Sequence, residues 1–233
     1  MGQRSWYRSP YIDGIKWEQR HEYLSYPKGK EIVDVGLVFS HPTRDFYSDK
    51  SKMYLYASDL FVDRGYVNEW SAWAEAIVES NTPHEVLMDD MITSSAIDKY
   101  KALLLPSTEC LSDAQVKALL DYAAKGGKLV VSGTPAKCDE TGKKRESDEL
   151  TKKLLDAAYL KIDAVDAEKA LIGFIRFGKP IPARDDKAHE LLTKELAKVL
   201  SPDELSFSVE SATGGVVKGW ENETGRRMKL NIL

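Results

Sequence analysis

Residues 101–134 read KALLLPSTECLSDAQVKALLDYAAKGGKLVVSGT, one complete strand–loop–helix–turn–strand unit. Ala102 to Leu105 is a continuous apolar run, the pattern of a strand buried on both faces. Pro106 stops it. Ser112 stands at an N-cap position with Gln115 three residues on, a spacing that lets each side chain cap the other's backbone amide. Val116, Leu119, Leu120 and Ala123 follow at helical spacing and make one apolar face. Gly126 and Gly127 end the helix, because glycine enters the left-handed region without a Cβ clash. Leu129 to Val131 is the next buried strand. The unit is a parallel βαβ crossover, and it predicts an α/β fold with a parallel sheet and helices on both faces.

Upstream, Ile32 to Ser40 (IVDVGLVFS) reads as the first strong strand and His41 to Arg64 as a long polar and aromatic loop. A loop of that length is usually functional or an interface element. Trp70, Trp73, Ala74, Ile77 and Val78 form a helical stripe, and Glu85 to Met88 a short strand. Downstream, Lys137 to Glu149 is charged and shows no strand or helix period, so it is expected to be a mobile loop. Leu150 to Tyr159 and Asp186 to Leu200 read as helices, and Ala170 to Phe177 and Leu205 to Glu210 as strands. Val216 to Trp220 and Arg227 to Leu233 flank Asn222-Glu223-Thr224-Gly225, a β-hairpin signature. Residues 1–30 carry six scattered tyrosines and tryptophans without a strand pattern, and a short helix over Lys16 to Ser25. The expected organisation is an arm or linker over 1–30, an α/β domain over 31–203, and the truncated start of a following β domain over 204–233. The chain is thus expected to be a piece of a longer polypeptide.

The 233 residues are 42% hydrophobic and 30% charged, with a formal charge of −4. These values exclude a polybasic nucleic-acid or membrane surface. No apolar run approaches the roughly 20 residues of a membrane helix, and no signal peptide is visible. Two cysteines cannot make a disulfide framework, and the four histidines lack metal-ligand spacing, so neither a metal nor a cofactor is expected. Cys110 and Cys138 read as free thiols in a reducing compartment, which favours the cytoplasm.

Open parallel sheets bind ligands at the carboxyl ends of their strands. Those ends hold Ser40, His41, Thr43, Arg44 and Asp45, then Asp89-Asp90, then Glu109 and Cys110, then Ser132-Gly133-Thr134. Arg44 suits a carboxylate or phosphate clamp, or an ion pair with Asp45 that orders the loop. Cys110 precedes a helix N-terminus, where a thiol pKa can fall, yet no neighbouring residue in sequence supplies a base. No G-x-G-x-x-G follows the first strand, and neither G-x-x-x-x-G-K-[ST] nor G-x-S-x-G occurs. Ser132 and Thr134 read as structural, since Pro135 removes an amide hydrogen where an oxyanion hole needs one.

The order of these elements resembles a class I glutamine amidotransferase-like, flavodoxin-like domain. More closely, it resembles the trimerisation domain of family 42 β-galactosidases and related glycoside hydrolases. The residues that carry the resemblance are Val35 to Ser40, Thr43 to Tyr47, Tyr100 to Pro106, Cys110 to Asp113 and Gly126 to Val130. It implies a catalytic barrel before this domain and a β-sandwich after it. It also implies an amidotransferase frame without its nucleophile, because Gly133 or Thr134 stands where that family places a cysteine. The resemblance therefore points to a non-catalytic module of a multidomain glycoside hydrolase. Its partners would be the other domains of the polypeptide and further copies of itself. The alternatives are a Cys110-dependent amidotransferase-like hydrolase and a sugar- or metabolite-binding domain.

Overall fold

Eight strands and six helices, numbered in chain order, make up the computed structural model, which describes residues 16, 30–46, 65–162, 186–207, 215–222 and 225–232. The strands are β1 (Lys30–Ile32), β2 (Val35–Phe39), β3 (His84–Met88), β4 (Ala102–Leu105), β5 (Lys128–Ser132), β6 (Leu160–Ile162), β7 (Gly215–Asn222) and β8 (Gly225–Ile232). The helices are α1 (His41–Phe46), α2 (Gly65–Glu79), α3 (Ser94–Ile97), α4 (Asp113–Ala124), α5 (Glu149–Ala157) and α6 (Asp186–Val199).

Five strands pair in the order β3-β2-β4-β5-β6, all parallel. The chain runs outward from β2 to β3, then returns past β2 to β4 and continues to β6. This is the flavodoxin-like order, and its direction reverses between β2 and β4. Alternation along each apolar run explains why the runs are unbroken. Leu103, Leu105, Leu129 and Val131 pack with Val116, Leu119 and Tyr122 of α4 and Leu154 of α5. Ala102, Leu104 and Val130 pack on the other face with Trp73, Ala76 and Ile77 of α2 and Leu192 and Leu196 of α6. Both faces are covered, so no strand position can be polar without a partner.

The capping box on α4 is formed: Gln115 N–H donates to Ser112 Oγ at 3.2 Å, and Ser112 N–H to Gln115 Oε1 at 2.7 Å. At the other end Gly126 takes φ +95°. Its N–H donates to Ala123 O at 2.9 Å, and that of Gly127 to Tyr122 O at 3.1 Å, closing a Schellman turn.

Several elements differ from the sequence reading. The run expected as one strand over Ile32–Ser40 is two. β1 pairs antiparallel with β7 in a separate sheet of order β1-β7-β8, while β2 enters the parallel sheet. The break falls at Val33-Asp34. Asp34 is buried with its side chain accepting from Lys101 Nζ at 2.7 Å, Ser206 N–H at 2.7 Å and Ser206 Oγ at 2.6 Å. The expected loop from His41 begins as helix α1, with the Ser40 hydroxyl accepting from Thr43 N–H at 3.1 Å as an N-cap.

The Lys137–Glu149 stretch, expected to lack structure, is a built loop. Asp139 Oδ1 accepts from the backbone of Thr141 and Lys143, and Arg145 donates to Leu111 O at 2.7 Å and pairs with Asp113 at 2.6 Å. Side-chain-to-backbone bonds of this kind leave no trace in apolar periodicity. β6 was not anticipated, and Leu205–Phe207 is not strand. The expected strand at Ala170–Phe177 lies outside the described residues, as does all but Lys16 of the expected helix over Lys16 to Ser25.

Candidate functional site

The reversal of strand order places the carboxyl ends of β2 and β4 side by side, where this topology usually opens a ligand crevice. Here the chain's own polar side chains fill that position. The Ser40 hydroxyl lies 2.8 Å from Thr43 Oγ1 and 3.2 Å from the Cys110 carbonyl oxygen. Cys110 N–H donates to Thr43 Oγ1 at 2.9 Å, and Ser40 N–H to the Tyr66 hydroxyl at 2.6 Å. Ser40, Thr43, Tyr66 and Cys110 are all buried. The members of this ring bond to one another, as buried polar groups require.

The remaining predicted site residues ring this plug. His41 donates its N–H to Asp89 Oδ1 at 3.0 Å, and its Nδ1 lies 2.8 Å from the same oxygen. Arg44 Nε pairs with Asp45 at 2.7 Å, and its guanidinium lies 5.8 Å from the centre of the Phe39 ring. That hydrogen bond from Arg44 holds the Asp45 carboxyl below the usual carboxylate range. Phe39 in turn packs edge-on against His41 and Trp70. Glu109 faces Lys137 at 3.5 Å. Burial raises its pKa, and the Lys137 charge opposes that rise. Ser40, Thr43 and Cys110 therefore come together. His41, Arg44 and Asp45 pair locally beside them, and Glu109 pairs with the loop after β5.

The Cys110 thiol does not have the environment of a nucleophile. Burial, followed by the neighbouring Cys138 thiol, pushes its pKa up to about 12. The direction is opposite to the lowering that a helix N-terminus produces at an exposed thiol.

A second buried constellation lies beside the first and escaped the sequence reading. Glu69, at 1% exposure, reaches from α2 over the ends of β4 and β5. Its two carboxylate oxygens accept the hydroxyls of Ser107 and Ser132, one each. Ser107 N–H donates to Ser132 Oγ at 3.0 Å. Ser107 has φ +35°, a left-handed conformation costly for a non-glycine residue. Gly133 at φ +64° completes the corner, and a Cβ there would stand 2.8 Å from Ser107 Oγ. The signal for Glu69 was available: with Tyr66, Trp73, Ala76 and Ile77 it falls on the buried stripe of α2, an acidic residue at an apolar position. The sequence reading began that helix at Trp70 and so passed it by.

Chemically, the Ser132 hydroxyl has its proton committed to Glu69 and a lone pair committed to Ser107. Glu69, Ser107 and Ser132 are all buried. A cleft of about 590 Å³ opens at the opposite, amino-terminal end of the sheet. The lysines that line it are paired: Lys101 with Asp34, Lys125 with Asp98 and Lys128 with Glu204. Among the described residues no group of three or more His, Cys, Asp or Glu side chains gathers as a metal site needs, and no helix is long and apolar enough to cross a membrane.

The family model described as GLMA-like, second domain, matches residues 58–174. None of the curated proteins matches the chain. Similar solved structures include the exo-carrageenase GH42 from Bacteroides ovatus, 11% identical with a TM-score of 0.45 over 80% of this chain and 20% of that one. A beta-galactosidase from Bifidobacterium adolescentis is 23% identical with a TM-score of 0.41, over 54% of each chain. Gan42B, a GH42 beta-galactosidase from G. stearothermophilus, is 17% identical with a TM-score of 0.38 over 49% of this chain and 15% of that one. The chain thus spans between 15% and 54% of the length of these proteins.

Proposed function

Because the chain belongs to the family of GLMA-like second domains, we propose that it is a non-catalytic, amidotransferase-like module of a larger glycoside hydrolase of the β-galactosidase kind. Its role in this reading is to assemble domains and subunits. In this reading the parallel sheet and its helices, from Val33 to residue 203, are the module, and β1 joins the strands of residues 204–233 in a separate β unit.

The observation that carries the reading is the corner after β5. The nucleophile of an active amidotransferase belongs there, and the chain offers Gly133 and Thr134 with Ser132 locked to Glu69 and Ser107. A nucleophile needs a base free to take its proton and a path for substrate. The buried, protonated Cys110 supplies neither, so nothing in its surroundings favours the thiol-dependent alternative.

An assembly role needs a surface. β3 is an outer strand among the described residues, and an outer strand with apolar side chains invites pairing. Val86 and Met88 on it are 39% and 36% exposed, and Met91 just beyond is 47% exposed.

Two measurements test the proposal. Purified chain assayed against glutamine, aryl amides and aryl galactosides should give no turnover above buffer. Turnover abolished by Ser132→Ala or Cys110→Ala overturns the non-catalytic reading. Light scattering on the eluting protein should give a multiple of the chain mass, reduced to the monomer by Val86→Lys with Met88→Lys. A monomer at all concentrations for the unaltered chain overturns the subunit-assembly reading.

A further inference from the structure

Cys110 and Cys138 are partners across a short parallel β-bridge, the one joining the end of β4 to the loop after β5. Two backbone hydrogen bonds hold the register: Cys138 N–H donates to Glu109 O at 2.9 Å, and Leu111 N–H to Cys138 O at 3.2 Å. Bridge partners stand about 4.8 Å apart, inside the Cα separation of about 4.4–6.8 Å that a disulfide spans. Partners in register also project their side chains to the same side of the ribbon. Both are free thiols, Cys110 buried and Cys138 half-buried.

The neighbours fix the two strands of the bridge independently of the sulfurs. Cys110 is held through its N–H by Thr43 and through its carbonyl by Ser40. The Cys138 side is held by Arg145, whose N–H donates to Lys137 O at 3.0 Å and whose side chain reaches Leu111 O and Asp113. Cys138 also bridges antiparallel to Lys144, so it is the middle strand of a small ladder. A thiol pair held this way needs little backbone movement to close.

We propose that Cys110 and Cys138 are a disulfide-forming pair, closed by a peroxide, that ties the loop after β5 to the reversal point of the sheet. The half-exposed Cys138 reacts first. Its thiolate attacks one peroxide oxygen, an S–O bond forms, the O–O bond breaks, and the departing hydroxide takes a proton to become water. The Cys110 sulfur then attacks the Cys138 sulfur. The S–S bond forms as the S–O bond breaks, and hydroxide leaves with the Cys110 proton as a second water. Two thiols are oxidised by two electrons, and one peroxide is reduced to two waters. The high pKa of Cys110, raised first by burial and then by Cys138, makes the closing step faster in alkaline solution.

The experiment treats the full chain with one equivalent of hydrogen peroxide at pH 8, quenches it, and counts thiols after denaturation. The expected result is a fall from two thiols to none, with a monomeric product in which the peptides carrying 110 and 138 are linked and are separated by dithiothreitol. Cys138→Ser should keep its single thiol under the same treatment, because the buried Cys110 lacks an entry point without its partner. Two surviving thiols overturn the proposal. So does a product in which Cys138 is over-oxidised while Cys110 stays free, or a linkage between two chains.

Discussion

Asp34 and Lys101 form an ion pair at 2.7 Å that seals the seam between the two sheets, with the carboxylate buried and the ammonium partly exposed. The same carboxylate accepts the N–H and the hydroxyl of Ser206, so residues 30–36 and 204–206 meet at one side chain. Asp34→Ala removes the acceptor of three hydrogen bonds at once and strands the amide of Ser206. The expected cost is about 2–3 kcal/mol, below that of a fully buried pair because Lys101 keeps solvent. Urea unfolding should show a lower midpoint with an unchanged slope.

Glu69 is the keystone of the corner after β5. Glu69→Ala leaves the hydroxyls of Ser107 and Ser132 without their acceptor and opens a void beneath α2. The expected loss is about 3 kcal/mol. Gly133→Ala should cost about 1–3 kcal/mol by a different route, because its φ is positive and its new methyl meets Ser107 Oγ. The two changes share Ser107, so their combined effect should fall short of the sum, which a double-mutant cycle measures.

The pH dependence of stability has a marker in Glu204. The Lys128 ammonium, then the N–H and hydroxyl of Ser201, draw its pKa from 4.5 down to about 2. Between those values the unfolded chain binds a proton that the folded chain does not, so stability rises with pH across that window. The contribution is complete above the higher value and is lost as pH falls to the lower one. Glu204→Gln should therefore flatten the acid limb of the stability profile, and wild type and variant should converge near pH 2.

Alkylation should separate the two cysteines. With burial lifting Cys110 to a pKa of about 12, iodoacetamide at pH 8 should label Cys138 first. Cys110 should react at least tenfold more slowly than it does after denaturation. Peptide mapping against time reads both rates. Rapid native labelling of Cys110 would revive the thiol-dependent alternative.

The parts of this molecule legible in its sequence are those where one local rule acts alone. The Lys101–Thr134 unit has apolar runs, a capping box and a Schellman glycine pair, and each rule points to the structure observed. The missed parts are those where two rules compete or where the partner is remote. Ile32 to Phe39 is apolar enough to read as one strand, and only Ser206, Lys101 and the strand β7 show why it breaks at Asp34. Ser40 reads as the end of a strand and His41-Pro42 as the start of a polar loop. A serine N-cap with proline in the first turn is equally a helix start. β6 is two half-buried residues around an exposed Lys161, defined by its pairing with β5 rather than by its own pattern. The named residues of the candidate site were legible as a list of strand ends. That Ser40, Thr43 and Cys110 close into a plug was not, because the Tyr66 hydroxyl that joins them comes from a helix distant in sequence, as does the Glu69 carboxylate of the neighbouring corner.

The pairing of β1 with β7 sets an order of events for the folding chain. Glu31 lies opposite Trp220, so that short sheet closes a loop containing every strand and helix of the parallel sheet. A loop so long is entropically costly while its interior is disordered and cheap once the interior has collapsed. The β7–β8 hairpin is local and pays no such cost, so the step that waits for the parallel sheet to condense is the docking of β1 onto β7.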